Sequence, residues 1–317
     1  MPRRADFDQQ VQWGGAASAA QKGASMSVSR ITWLIGLPAL VAAALAAVLF
    51  ASVPSHAASA VTATAGGGSS PKPVIVLEHG AWADASSWDE VIAGLQRQGF
   101  TVYAPPDPLR GVTYDSTYLK DFLTQNTALQ GKPVILVGHS YGGFVITNAA
   151  TNNANVKALV YVDAFIPDVH DTLAGLLANS GSCLGGSPAD VFNVVPYPNP
   201  VGTGGPPGDV DTYIKPDVVP GCFASGLPAP QAAVIAAIQR PLALSTLFEP
   251  SGPPAWTTIP SWAVIGTADR VIPPAVLTSM AQHAGAHIID VNAGHLSMIS
   301  RANTVTKVII DAANATG

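Results

Sequence analysis

The sequence predicts an α/β fold built on one mainly parallel β-sheet, and three observations support this prediction. From residue 73 onward, short apolar runs alternate with segments that have the apolar spacing of helices, a pattern that produces βαβ units. The strand candidates are continuously apolar, as strands buried on both faces are. A chain of 317 residues that is 48% hydrophobic and 11% charged can also bury one large core.

The predicted elements follow one another regularly, apart from one interruption. Strands are expected at 74–77, 101–104, 133–137, 156–162, 261–265 and 286–291. Helices are expected at 86–98, 115–129, 140–150, 274–283 and 296–313. The alternation stops between about residues 167 and 258, where only two helical pieces, 171–179 and 231–239, are expected. We therefore interpret 167–258 as an insertion above the sheet and not as a second core.

The first sixty residues differ in composition from the rest and predict an export signal. A nearly unbroken apolar run from Ile31 to Val53 is preceded by Arg30 and followed, within 55–60, by small residues of the type that signal peptidase cleaves. Met26 would give this run an n-region of ordinary length and is the expected initiator, and a long n-region formed by residues 1–25 is the alternative. The alternative is a membrane anchor formed by 31–53, since about 20 apolar residues span a bilayer. We expect the secreted form.

The folded domain is expected to cover 73–317, after a flexible linker. Residues 61–72 are rich in Ala, Gly, Ser and Thr, a composition typical of such linkers. The net charge is −5 and the 15 Lys and Arg residues are scattered, whereas nucleic-acid binding requires a basic face or stripe. We therefore expect no nucleic-acid partner, and no stable membrane partner unless the signal remains uncleaved.

The chain contains two cysteines, Cys183 and Cys222, both within the insertion. In an exported protein such a pair predicts a disulfide, and two buried free thiols are the alternative. Two cysteines without a neighbouring histidine cluster provide too few ligands for a metal. The sequence therefore predicts a disulfide and no metal site.

A nucleophile motif follows the third predicted strand. Residues 138–142 read Gly-His-Ser-Tyr-Gly, the Gly-x-Ser-x-Gly pattern of a sharp strand-to-helix turn. The pattern has little weight alone in a glycine-rich chain, but here an apolar strand precedes it and an apolar helix follows it. We predict that Ser140 is a nucleophile at the carboxyl end of the sheet, where open α/β folds bind ligands.

A serine nucleophile needs a base, and the base needs a carboxylate. Among seven histidines, His295 lies between the last predicted strand and the last helix, where a loop can reach the serine. Two aspartates end strands: Asp269, which gives the order Ser, Asp, His, and Asp163, one strand earlier. We predict Asp269 as the acid, with Asp163 as the alternative.

An oxyanion requires hydrogen-bond donors that are already in position. The backbone N–H of Tyr141, directly after the nucleophile, is one candidate. The other is the backbone N–H of Ala81, in the loop after the first strand, where Gly80 allows close backbone approach.

These motifs together resemble the α/β-hydrolase superfamily over about residues 73–313, and more closely its branch of small esterases and hydroxynitrile lyases. The quoted segments are 77–88, 138–142, 266–273 and 294–295. The resemblance implies an α/β-hydrolase fold, a cap over the active site that fits 167–258, and neither a metal nor an organic cofactor. The lyases of this branch carry a Thr and a Lys at the positions of Gly80 and Leu296.

We therefore expect a secreted serine esterase that cleaves small hydrophobic or aromatic esters through an acyl-enzyme. The apolar residues of the insertion would suit such a substrate, and an ordinary core role is equally compatible with them: Phe192, Val194, Val195, Tyr197, Ile214 and Phe223. One alternative is a lyase on the same scaffold, in which Lys215 or Arg240 would supply the missing positive charge. A catalytically silent binding protein is another, but it would be expected to lack one member of the triad.

Overall fold

The computed structural model describes residues 72–198 and 206–316. The predicted export segment at 1–60 and nearly all of the predicted linker lie outside the described residues. Within the two described ranges, no helix is both long and apolar enough to cross a membrane.

Two sheets are present, a large one and a small one. The described strands are, in chain order, β1 (Val74–Glu78), β2 (Val102–Tyr103), β3 (Val134–His139), β4 (Val156–Val162), β5 (Phe192–Pro196), β6 (Val210–Ile214), β7 (Leu242–Ala243), β8 (Ser261–Gly266) and β9 (His287–Val291). The large sheet has the order β2-β1-β3-β4-β8-β9, and all of its neighbouring strands are parallel. This confirms the predicted α/β class, because every predicted strand lies in this sheet.

The helices lie between the strands, as expected for βαβ units. They are α1 (Asp89–Arg97), α2 (Val112–Gln125), α3 (Gly142–Ala149), α4 (Leu173–Leu177), α5 (Pro188–Val191), α6 (Ala229–Ala237), α7 (Pro274–His283), α8 (Ser297–Ser300) and α9 (Ala302–Thr316). Helix α3 packs on β1, β3 and β4 and contacts α2, whereas α9 packs on β3, β4 and β8 and contacts α1. The four central strands β1, β3, β4 and β8 are thus covered by helices, and almost all of their residues are buried.

The small sheet in the insertion was not predicted. Strands β5, β6 and β7 pair antiparallel within residues 192–243. Four of the five β5 residues are exposed, so this strand lacks the apolar pattern of a buried strand. The two helical pieces that were predicted in the insertion are present as α4 and α6, each shorter or shifted by a few residues.

The strand order reverses between β1 and β3, because the chain adds β2 on one side of β1 and β4, β8 and β9 on the other side of β3. Ligands of open α/β sheets bind in the crevice at such a switch point, outside the carboxyl ends of the strands. The loop after β1 and the turn after β3 meet here, and they carry the predicted oxyanion donors and the predicted nucleophile.

Candidate active site

Ser140 occupies a sharp turn between β3 and α3. Its φ is 51°, in the left-handed region that non-glycine residues adopt only where surrounding structure imposes it. The turn packs tightly on the chain that follows β4, since a Cβ on Gly143 would overlap the carbonyl oxygen of Phe165. This geometry lifts the Ser140 side chain to the carboxyl edge of the sheet, as the motif predicts.

The structure brings Ser140, His295 and Asp269 together in one hydrogen-bonded chain. The Ser140 Oγ lies 2.9 Å from His295 Nε2, and His295 Nδ1 lies 2.8 Å from Asp269 Oδ2. A carboxylate can only accept, so Nδ1 carries the proton and Nε2 is left to accept from the serine hydroxyl. All three side chains are buried.

Asp269 is itself held in position by the backbone. Its Oδ1 accepts from the N–H groups of Val271 at 2.8 Å and Ile272 at 3.0 Å. The other oxygen is therefore aimed at the histidine, which is the arrangement that fixes an imidazole tautomer.

Asp163, the alternative acid, has a different set of partners. Its two oxygens accept from the backbone N–H of Gly266 at 2.6 Å and of Ser297 at 3.1 Å. Burial, and then the negative charge of Asp269, raise its pKa to about 7. Asp163 thus ties the end of β8 to the residues directly after His295, and it makes no hydrogen bond to the imidazole within the described contacts.

His139, inside the nucleophile motif, supports the base. Its ring Nε2 lies 2.9 Å from the carbonyl oxygen of His295, so Nε2–H donates to that carbonyl. Burial, and then the neighbouring His295 imidazole, lower the pKa of His139 well below its usual value, which keeps the ring neutral. No sequence pattern indicated this contact, which spans 156 positions.

The two predicted oxyanion donors lie at this same junction. Gly80 packs directly on the turn, because a Cβ there would lie 2.8 Å from the Cβ of Ser140. Neither the Ala81 nor the Tyr141 backbone N–H donates a hydrogen bond to another group among the described residues. The side chain of Tyr141 is held in place by its hydroxyl, which donates to the Asp115 carboxylate at 2.7 Å.

An aromatic wall formed by Trp82, Phe192 and Phe223 stands beside the triad. Trp82 stacks on Phe192 with ring centroids 5.3 Å apart and meets Phe223 edge-on at 6.3 Å. Phe223 in turn meets the His295 ring edge-on at 5.5 Å. Of the other apolar residues noted in the insertion, Val194 and Val195 are exposed and Ile214 is buried. The Tyr197 ring lies under the Arg110 guanidinium, so among the described ring contacts of this set those of Phe192 and Phe223 form the wall.

The cysteines are joined as predicted, with Cα atoms 5.7 Å apart. The half-cystine Cys183 also donates its backbone N–H to the carbonyl of Arg270 at 2.8 Å, and Cys222 directly precedes Phe223. The disulfide therefore links the aromatic wall to the loop that carries Asp269. Within the described ranges, no group of three or more His, Cys, Asp or Glu residues is arranged to hold a metal ion.

Comparison with known proteins places this geometry in a family. The sequence model of the "Alpha/beta hydrolase family" matches residues 74–307. A carbendazim-hydrolyzing esterase from Nocardioides sp. (strain SG-4G) is 35% identical over 151 residues, which are 38% of this chain and 62% of that protein. The matched region thus spans less than two thirds of that relative.

Solved structures with the same fold extend over most of the chain at low identity. Polyneuridine aldehyde esterase has a TM-score of 0.63 and 18% identity, over 76% of this chain and 99% of that one. An extracellular α/β-hydrolase from a Paenibacillus species has a TM-score of 0.57 and 20% identity, over 76% and 98%. Tomato methylketone synthase I has a TM-score of 0.59 and 19% identity, over 78% and 100%. With the family model covering most of the described residues, the chain belongs to the alpha/beta hydrolase family.

Proposed function

We propose that this protein is a serine esterase that hydrolyses carboxylic esters through an acyl-enzyme, with Ser140, His295 and Asp269 as its catalytic triad. The observation that carries the proposal is the continuous chain of two hydrogen bonds from Ser140 through His295 to Asp269. The esterase name of the Nocardioides relative supports the same reaction class.

In this proposal each group of the site has one role. His295 Nε2 takes the hydroxyl proton while the Ser140 Oγ attacks the ester carbonyl, and the imidazolium then gives that proton to the departing alcohol. Asp269 stabilises the imidazolium and holds its tautomer. The free N–H groups of Ala81 and Tyr141 receive the oxyanion of the tetrahedral intermediate. In the second half of the reaction, His295 activates a water molecule that releases the acid.

The charges around the site favour ester hydrolysis over a lyase reaction. Departure of an anion such as cyanide needs a positive charge near His295, but the residue that follows it is the buried Leu296. Lys215 is exposed at the surface, where its Nζ donates to the carbonyl of Ala189. Arg240 lines a surface depression next to His79. Among the described contacts, neither cation that was considered for this role makes a hydrogen bond or ion pair with Ser140 or His295.

Labelling with a fluorophosphonate probe tests the nucleophile. We expect the wild-type protein to be labelled and the Ser140→Ala variant to be unlabelled. Ser261→Ala is the matched control, because Ser261 lies at the opposite end of a sheet strand and its hydroxyl donates to Ile259. Labelling that persists in Ser140→Ala would contradict the proposal.

A pair of aspartate variants tests the acid. Asp269→Asn should reduce kcat by on the order of 10³–10⁴-fold while the protein remains folded, because the imidazole loses the partner that orients it. Asp163→Asn should cause a much smaller loss, since Asp163 contacts backbone N–H groups and not the imidazole. The reverse ranking of the two variants would show that Asp163 is the acid.

We further propose that residues 1–60 direct export and that the insertion at 167–258 acts as a cap. The disulfide supports export, because such bonds persist in oxidising compartments. Mass spectrometry of protein collected from the culture medium should find an N-terminus within about residues 55–61, where the cleavage-site pattern lies. An intact 31–53 segment in membrane-bound protein would contradict cleavage.

A further inference from the structure

Trp82 has three properties that an ordinary core residue does not combine. It directly follows Ala81, the proposed oxyanion donor, and its φ is 57°. The left-handed conformation is strained for a bulky residue, and strain of this kind concentrates at functional sites. Its side chain is nevertheless buried.

A hydrogen bond joins the Trp82 indole to strand β6 of the insertion. The indole N–H donates to the carbonyl oxygen of Thr212 at 2.9 Å, with the hydroxyl of the same residue at 3.3 Å. Thr212 is fully buried in β6. A buried donor with a fixed acceptor holds the ring in one orientation, because breaking the bond would leave both groups unpaired.

Trp82 stands between two cavities and is the residue that their linings share. The larger cavity has a volume of about 360 Å³ and is lined on its apolar side by Phe223, Val234, Ile235, Ile238, Leu296 and Ile299. The smaller has a volume of about 220 Å³ and is lined mainly by apolar residues of α4 and its surroundings, among them Leu173, Ala174, Leu177, Leu184, Phe192 and Leu247.

The position of the histidine distinguishes the two cavities. Leu296, which directly follows His295, and Phe223, whose ring contacts the imidazole, both line the larger cavity. Because the imidazolium protonates the leaving alcohol, that alcohol must lie on the histidine side of the carbonyl. The smaller cavity is lined by Phe192, the ring that stacks on Trp82, and is then available to the acyl group.

We propose that Trp82 is the specificity-determining partition of this esterase, and that the substrates are esters with apolar groups on both sides of the carbonyl. The acyl group occupies the smaller cavity and the alcohol occupies the larger one. This inference rests on the proposed function and names its substrate class. The Ser140 side chain is 4% exposed, so the rings of the aromatic wall must part when the substrate enters.

Two reciprocal variants test the assignment without removing the buried tryptophan. Ala174→Trp fills the smaller cavity, and Val234→Trp fills the larger one from an exposed helix position. The substrates are two series of 4-nitrophenyl and alkyl esters: one with increasing acyl length and constant alcohol, the other with constant acetyl and increasing alcohol size. The readout is the ratio of kcat/KM between the largest and the smallest member of each series.

We expect Ala174→Trp to lower this ratio about tenfold or more in the acyl series and to leave the alcohol series unchanged, since a lost apolar contact changes discrimination by about 10–200-fold. Val234→Trp should do the reverse. Trp82→Ala, if it folds, should merge the cavities and raise the ratio in both series. Trp82→Phe keeps a ring at this position but loses the hydrogen bond to Thr212, so it should change both ratios in the same direction by a smaller factor.

Each outcome separates the two proposals. Equal effects of both filling variants on both series would overturn the partition while leaving the esterase assignment intact. If Ala174→Trp affected the alcohol series and Val234→Trp affected the acyl series, the two groups would occupy the opposite cavities. That result would overturn the argument that the alcohol lies in the larger cavity because this cavity is next to His295. A wild-type protein that hydrolyses no ester of either series would overturn the proposed function, and the substrate class with it.

Discussion

Removing the disulfide between Cys183 and Cys222 should destabilise the protein by an amount that follows from the length of the loop it closes. The two residues are 39 positions apart, and the segment between them contains α5, β5 and β6. In the chain-entropy model, a disulfide that closes a loop of this length lowers the entropy of the unfolded chain and thereby raises the unfolding free energy by roughly 4 kcal/mol at 25 °C. The double variant Cys183→Ser, Cys222→Ser should lose about this much unfolding free energy.

The folded state should persist in that variant, because other contacts hold the same region. The Ser182 hydroxyl donates to the carbonyl of Val271 at 2.6 Å, and the Arg270 guanidinium donates to the carbonyl of Gly221 at 2.7 Å. The loss is therefore expected to arise mainly from greater freedom of the unfolded chain.

Thermal unfolding followed by circular dichroism measures this effect. For a domain of this size 1 kcal/mol shifts Tm by about 2–4 °C, so we expect Tm to fall by roughly 8–16 °C. Wild-type protein under reducing conditions should unfold near the temperature of the double variant. Ser187→Ala is the matched control, because Ser187 is an exposed residue inside the closed loop and its side chain makes no cap hydrogen bond. A double variant that unfolds within about 2 °C of unreduced wild type would refute the reasoning.

Three further predictions concern the packing and the buried charges near the site. Gly143→Ala should abolish soluble folded protein or labelling by a fluorophosphonate, because its Cβ would overlap the carbonyl oxygen of Phe165; normal labelling and Tm would contradict this. Burial raises the pKa of Asp115, which accepts from the Tyr141 hydroxyl, from 3.8 to about 6. Between about pH 4 and 6 the folded state therefore binds a proton at Asp115 that the unfolded state has released, so the free energy of unfolding falls as the pH rises through this window. Asp115→Asn should flatten the pH dependence of Tm between these values. Burial lowers the pKa of His79 from 6.5 to about 4, so the folded state loses stability as the pH falls from 6.5 toward 4, where the unfolded state binds the extra proton. His79→Gln should therefore reduce the loss of Tm on acidification. An unchanged dependence of Tm on pH in this variant would contradict the role given to His79.

The strands of the large sheet could be predicted closely because their signal is local. A strand buried on both faces must be apolar at every position, and β4 at Val156–Val162 coincides with its prediction. Helix starts were less accurate because side-chain contacts with the backbone at the first turn affect them, and the apolar spacing does not show these contacts. The Asp115 carboxylate accepts from the N–H groups of Arg110 and Gly111, which moves the start of α2 to Val112, three residues before the predicted start.

The small sheet escaped prediction because its pairing leaves little trace in the sequence. Strand β5 is mostly exposed and ends in Pro196, a residue typical of strand edges. Its partner β6 begins fourteen positions later, at Val210, and the third strand has only two residues. A short, exposed strand has no apolar alternation, so neither its existence nor its register could be inferred.

The residues of the proposed triad and of the proposed partition are encoded differently in this chain, and this explains why the sequence pointed to the first set and not to the second. Ser140, Asp269 and His295 each follow a strand of one parallel sheet, and parallel strands bring their carboxyl ends to the same edge. Trp82 and Thr212 are 130 positions apart and meet through a single indole N–H. No spacing or periodicity reports such a contact. Relatives that preserve the strand ends should therefore keep the chemistry, whereas changes at the Trp82 contacts should change the ester that is accepted.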